Sequence, residues 1–308
     1  MSARRALLDA LIDDASLYPP ANLAMGPALR AHARDRESAY AFVQGRFVVA
    51  ASRIAEVLAE RDPNVALRLS VILDAPAGSD ATEAAIARLA ELAPLAGIAN
   101  ITFDALEMRL GATAADVHAV ARVVDALDAR HAGPVSVWFE PPFDAAWTQP
   151  PADVFDALAA LRERSADVSV GAKLRTGGLT PNALPSVADV AAFIVAAHAA
   201  GIPWKATAGL HHPVRQVDRE TDRPMHGFLN IFVAGIGLHA GVIDAARVAE
   251  IVAEEDPRAF VLDGAHLAWR DVSLDAAAIV AGRAHVASFG SCSFFEPVDD
   301  LRRLGLLG

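Results

Sequence analysis

An α/β fold of the (β/α)8, TIM-type barrel kind is what this sequence predicts, and three observations predict it. The short β-rich runs are continuously apolar, as in a parallel sheet covered on both faces. Alanine-rich stretches with apolar residues three and four apart separate those runs. Between Leu69 and Pro203 the runs recur every 30 to 35 residues, the cadence of strands joined by crossover helices. Repeated through 308 residues without a Pro/Gly/Ser-rich linker, such units favour one closed barrel domain over an open sheet.

Strands are expected at Arg46–Ala50, Leu69–Asp74, Ala99–Phe103, Pro134–Glu140, Val168–Leu174 and Pro203–Ala208. Two more follow at Ala259–Asp263 and His285–Phe289. Helices are expected at Ala81–Ala93, Ala114–Arg130, Pro151–Arg164 and Ser186–Ala200. The last opens on Ser186 and Asp189 in capping-box spacing. Residues 209–257 read as a loop and two helices before the seventh strand. Residues 1–44 read as a helical N-terminal extension packed across one end of the barrel. Within it, Asp13 and Asp14 read as the solvent-facing end of a helix, or as a loop folded over the barrel mouth.

With 27 basic and 38 acidic side chains the net charge is −11, which argues against broad binding to nucleic acid or an anionic membrane. The apolar run Phe228–Ile243 contains Asn230, His239 and glycines and is too short to span a bilayer. Asp9, Asp13 and Asp14 interrupt the N-terminal run that an export signal would need. A soluble cytoplasmic protein acting on a small molecule is therefore expected, free to form a homo-oligomer. One cysteine, Cys292, excludes an internal disulfide and a four-cysteine zinc site, and beside Phe294 and Phe295 it reads as inert. No dinucleotide or P-loop glycine motif follows an early strand, so no such cofactor is expected.

Lysine is nearly absent. Against 25 arginines there are two lysines, Lys173 and Lys205, and both fall within or at the end of expected strands that run into glycine-containing loops. In a barrel those strand ends form the active face. Arginine serves as well as lysine on a surface but cannot become a neutral amine. Lysines on neighbouring strands disfavour each other's protonation, and with Trp204 and Leu174 as an apolar wall one is expected to have a lowered pKa. Such an amine attacks carbonyls or acts as a base.

Around them, His211 and Glu140 are candidate proton carriers. Glu140 is preferred among Asp74, Asp104, Glu107 and Glu140 because Pro141-Pro142 ends its strand abruptly. Arg175 is expected to hold an anionic group, with Arg215 as a second candidate, and His212, Asn230 and Ser291 complete the expected substrate-binding set. The run Ser288–Pro297 reads mainly as helix capping and secondarily as an anion-binding turn.

Lys205-Ala206-Thr207-Ala208-Gly209 resembles the K-x-T-x-G strand of deoxyribose-phosphate aldolase and related class I aldolases. Lys173-Leu174-Arg175-Thr176-Gly177-Gly178 is similar to the second lysine strand of that family, the two motifs standing here in reversed order. The resemblance implies a Schiff base at Lys205 on the sixth strand, with Lys173 tuning it, and no cofactor. Two other readings stand beside it. In one, carboxylates with His211 or His212 hold a divalent metal for enolisation or hydrolysis. In the other, the barrel binds a ligand without catalysis.

Overall fold

A computed structural model describes residues 1–76, 80–95, 97–111, 114–129, 134–142, 152–178, 184–218 and 222–307. Eight parallel strands close into a barrel: β1 (Ile12–Asp14), β2 (Gln44–Ala50), β3 (Leu67–Ile72), β4 (Ile101–Arg109), β5 (Val135–Glu140), β6 (Val168–Arg175), β7 (Trp204–Thr207) and, last in the chain, β13 (Val286–Ser291). Between the last two come a hairpin, β8 (Gln216–Asp218) with β9 (Arg223–Met225), and a small antiparallel sheet of β10 (Phe260–Leu262), β11 (His266–Trp269) and β12 (Val272–Asp275). The circuit β1-β2-β3-β4-β5-β6-β7-β13 returns to β1, so the barrel has no free edge. The chain has the α/β barrel fold that its cadence predicts. Arg130 and Pro151, expected at helix ends, lie outside the described residues.

Helices α1 (Ala3–Leu8) and α2 (Met25–Asp35) flank β1. Between the later strands lie α3 (Ile54–Glu60), α4 (Ala81–Glu91), α5 (Ala114–Ala119), α6 (Ala121–Asp128), α7 (Ala152–Arg162) and α8 (Val187–Ala199). After β9 come α9 (Phe228–His239), α10 (Ala245–Ala253), α11 (Ala276–Arg283) and α12 (Phe295–Arg303). Helices α4, α6, α7 and α8 bury the apolar residues their spacing promised. Helix α8 begins with the expected reciprocal cap between Ser186 and Asp189. Because strand side chains alternate, the neighbours of each lysine face away from it. Trp204 meets Phe193 of α8 and Phe232 of α9, and so packs in the outer layer instead of walling the lysines.

Three expectations need correction. Residues 1–44 do supply helices α1 and α2, but residues 12–14 between them are the first barrel strand. Asp13 and Asp14 are therefore buried, not a solvent-facing helix end. Residues 260–262, expected in a barrel strand, form β10 of the small antiparallel sheet. That sheet docks on α1 through Ala3 N–H to Gly264 O. Counting from β1, Lys173 stands on the sixth barrel strand and Lys205 on the seventh, one later than the sequence suggested. Among the described residues, no helix is long and apolar enough to cross a membrane.

Candidate active site

Strands β6 and β7 pair with Lys173 directly opposite Lys205, so both amines point into the barrel at the same level. Both are buried, Lys205 to 1% exposure. Burial of an unpaired ammonium costs several kcal/mol, and carboxylates from three other strands offset it. Lys205 Nζ donates to Asp13 Oδ2 and to Glu107 Oε1, each at 2.7 Å. Lys173 Nζ lies 2.7 Å from Glu107 Oε2 and 2.9 Å from Glu140 Oε2. Arg175 Nε donates to Glu140 Oε1 at 2.7 Å. The result is an alternating file, Asp13, Lys205, Glu107, Lys173, Glu140, Arg175, with Glu107 bridging the two lysines.

Hydroxyl and amide groups fix the carboxylates. Ser70 Oγ of β3 donates to Glu107 Oε1, and Ser288 Oγ of β13 to Asp13 Oδ2, both at 2.7 Å. The Arg46 amide donates to Asp13 Oδ1 at 2.8 Å. Glu107 reaches the interior because β4 carries a bulge. The register passes from Leu69 opposite Phe103 to Ser70 opposite Ala105, leaving Asp104 as the extra residue. Without that insertion, two-residue alternation would turn Glu107 outward. The bulged Asp104 binds Arg46 and Arg68.

Gly45 completes the pocket for Asp13. A Cβ there would lie 2.4 Å from Asp13 Oδ1 and 3.2 Å from the Ile12 carbonyl. Gly45→Ala is expected to lower stability by about 1–3 kcal/mol, read from the denaturant midpoint, because the pinned carboxylate cannot step aside.

These contacts set the protonation states. Burial alone would raise the Glu107 and Glu140 pKa values, but the lysines, and for Glu140 also Arg175, drive both below the ordinary range. Burial acts the same way on Asp13, and there Lys205 and Arg46 outweigh it, so this carboxyl too falls below its usual value. Lys173 moves in the direction opposite to the one expected from a lysine pair. Burial pulls its pKa down, yet Glu107 and Glu140 raise it above normal, so it is held as a cation.

The remaining expected site residues have other partners. His211 Nδ1 pairs with Glu296 and His212 Nδ1 with Asp300, both on α12. Asn230 is fully buried and ties the Arg215 amide to the carbonyls of Ile251 and Glu254, so it braces helices. Arg215 is engaged with Glu255. Ser291 Oγ closes a local turn onto the Ser293 carbonyl. Asp74 accepts from the Ser52 amide. The Cys292 thiol is pushed up by burial, consistent with inertness. Of the expected set, Lys173, Lys205, Glu140 and Arg175 come together, and His211, His212, Asn230 and Ser291 do not join them.

Asp13, Ser70 and Ser288 were not foreseen, and Glu107 was ranked below Glu140. A three-residue strand such as β1 shows too little alternation to be recognised. Among the described residues no group of three His, Cys, Asp or Glu side chains is placed to share a metal ion. The interior carboxylates are already neutralised by ammonium groups with which a divalent ion would have to compete.

No known family model matches the chain, and no curated protein matches it either.

Proposed function

We propose that this barrel performs lysine-dependent carbonyl chemistry of the class I aldolase or lyase kind on a small anionic aldehyde or ketone. The observation that carries this reading is Lys205 Nζ set at hydrogen-bond distance from both Asp13 and Glu107, in register with a second lysine. The likeness of Lys205–Gly209 to the Schiff-base strand of deoxyribose-phosphate aldolase points the same way.

Lys205 is the nucleophile. Glu107 or Asp13 takes one of its protons as the carbonyl approaches, and the freed amine attacks the carbonyl carbon. Loss of the carbonyl oxygen as water leaves an iminium on Lys205. Lys173, held cationic, keeps Glu107 ionised and ready to receive that proton. Arg175, half-buried against Glu140, and Arg109, exposed at the end of β4 with Nε 3.7 Å from the same oxygen, offer guanidinium groups to an anionic substituent. A small-molecule substrate and a cytoplasmic setting fit this reading, and subunit association is compatible with it.

A second reading is favoured by the burial of both amines: the ion file is a structural core of a ligand-binding barrel. Borohydride reduction in the presence of pyruvate or glycolaldehyde phosphate, followed by peptide mass spectrometry, separates the two. The expected product is a reduced adduct on Lys205. A folded protein that acquires none on either lysine supports the structural reading instead.

A further inference from the structure

At the amino-terminal ends of β7 and β13, α8 and α9 border a cavity of about 160 Å³. Gly235 lets α9 come close to the barrel there, since a Cβ would lie 2.6 Å from Trp204 Cζ2. Ile194, Ile202, Trp204 and Val286 give the cavity apolar walls. Its polar lining is three histidines, His198 from α8, His239 from α9 and His285 just before β13. The His239 and His285 rings stack with centroids 3.8 Å apart, and the His198 ring stands 6.2 Å from that of His239. His239 and His285 are half-buried, and His198 is exposed. None of their ring nitrogens has a hydrogen-bond or ion-pair partner among the described residues.

The chain carries 38 acidic side chains against 27 basic ones, yet the charged groups acting on His285 are all basic. Arg162, at the end of α7, donates to the Gly201 carbonyl on the cavity wall at 2.6 Å. Burial first, then His239, Arg162 and His198, hold the His285 imidazole below its ordinary pKa. Charged groups on the other neighbouring elements are engaged elsewhere. On α10, Arg247 pairs with Asp271 and Glu250, and on α11, Arg283 donates to the Val286 and Asp9 carbonyls. On β7, Lys205 is held by Asp13 and Glu107. The last carbonyls of α8 and α9 accept the amides of the turns that follow, Ala200 to Ile202 and Ala240 to Val242. His198 and His239 lie in the last turns of their helices, where the helix dipole favours a protonated imidazole. What the cluster lacks is an anion.

We propose that this cavity binds a small organic carboxylate. The carboxylate sits among the three imidazoles with Arg162 beside them, and the hydrocarbon body lies against Trp204, Ile194 and Ile202. An apolar cavity of about 150 Å³ holds one benzene ring, so the body is a single ring or a branched chain of similar bulk. Binding draws protons onto the imidazoles, because the anion offsets the mutual repulsion that opposes their charging. The site is separate from the lysine file and stands whether or not Lys205 is a nucleophile.

Calorimetry with benzoate as the probe tests this. Wild type is expected to bind benzoate at about pH 5.5 and to bind it about tenfold more weakly at about pH 8. Binding should take up protons, read as a heat that changes with the ionisation enthalpy of the buffer. Benzamide, equal in size and uncharged, should gain nothing on acidification. His239→Gln and His285→Gln remove ring nitrogens that bond to nothing else, and each should weaken benzoate about tenfold at the lower pH. Benzoate and benzamide bound alike at both pH values would reduce the site to an apolar pocket and overturn the carboxylate. Inorganic phosphate bound as tightly as benzoate would overturn it in favour of a bare oxyanion site. Absence of binding by all three would leave the histidines as packing and end the proposal. These overturning outcomes are read on wild type, so a variant that folds poorly leaves the test intact.

Discussion

Glu107→Gln is expected to cost about 3–5 kcal/mol of stability at neutral pH, a drop in melting temperature on the order of 10 °C. The substitution preserves shape and removes one charge, and that charge serves both lysines. Among the described residues, Glu107 is the single group touching Lys173 and Lys205 together, with each carboxylate oxygen 2.7 Å from one ammonium. Without it the file holds Asp13 and Glu140 against two lysines and Arg175, and the cations facing each other across paired strands have lost their screen.

The pH profile carries an independent check. In wild type the depressed carboxylates contribute stability that is present above the usual carboxylate pKa range and lost as pH falls through their lowered folded values. Lys173, with a raised pKa, contributes stability present below the ordinary lysine value and lost as pH rises through its higher folded one. Stability from this network is therefore a plateau flanked by an acid limb and an alkaline limb. Glu107→Gln should make the acid limb shallower and start the alkaline loss at lower pH. Melting curves from strongly acidic to strongly alkaline buffer measure both. A variant within about 1 kcal/mol of wild type, with unchanged limbs, would show that the bridge is not buried as described.

The barrel was legible because its evidence is repeated. Each β-helix-β unit from Leu69 to Pro203 states the same pattern, and the closed sheet agrees with it. The lysines were legible through rarity, two against 25 arginines. The carboxylates that define the site were harder. Asp13 sits in a strand of three residues, where alternation has no room to show. For Glu107, whether it faces in or out is decided by the one-residue bulge at Asp104, which no local pattern announces. His211 and His212 misled because closeness in sequence to a strand-end lysine does not fix direction. Their rings turn to the acidic residues of α12, which the chain supplies 85 and 88 positions later. The expected lowering of a lysine pKa is not met at Lys173 for a related reason. It considered the paired lysines without the acids that other strands bring between them.

Lys205→Met is expected to reverse the pH dependence of stability, besides abolishing adduct formation at this position. Methionine fills the space of the lysine stem with little strain. The carboxylates lose a counter-charge unequally. Glu107 retains Lys173 and Ser70, whereas Asp13 keeps the Ser288 hydroxyl, Arg46, whose amide donates to it and whose guanidinium is engaged by Asp104, and the charge of Arg283, whose guanidinium donates to the Val286 and Asp9 carbonyls. Fully buried and stripped of the cation that did most to lower its pKa, Asp13 should take up a proton. A carboxyl group whose folded pKa lies above its unfolded one favours folding at low pH, and that advantage disappears as pH rises through the folded value. The variant should therefore gain stability relative to wild type on going from about pH 8 to about pH 5. At neutral pH it should sit about 3–5 kcal/mol below wild type. Adding Asp13→Asn should restore much of the loss and cancel the reversal, because the double variant removes both members of the pair. If Lys205→Met alone matches wild type at neutral pH and keeps its slope, Asp13 and Lys205 are not a buried ion pair, and the nucleophile assigned to Lys205 loses the base beside it.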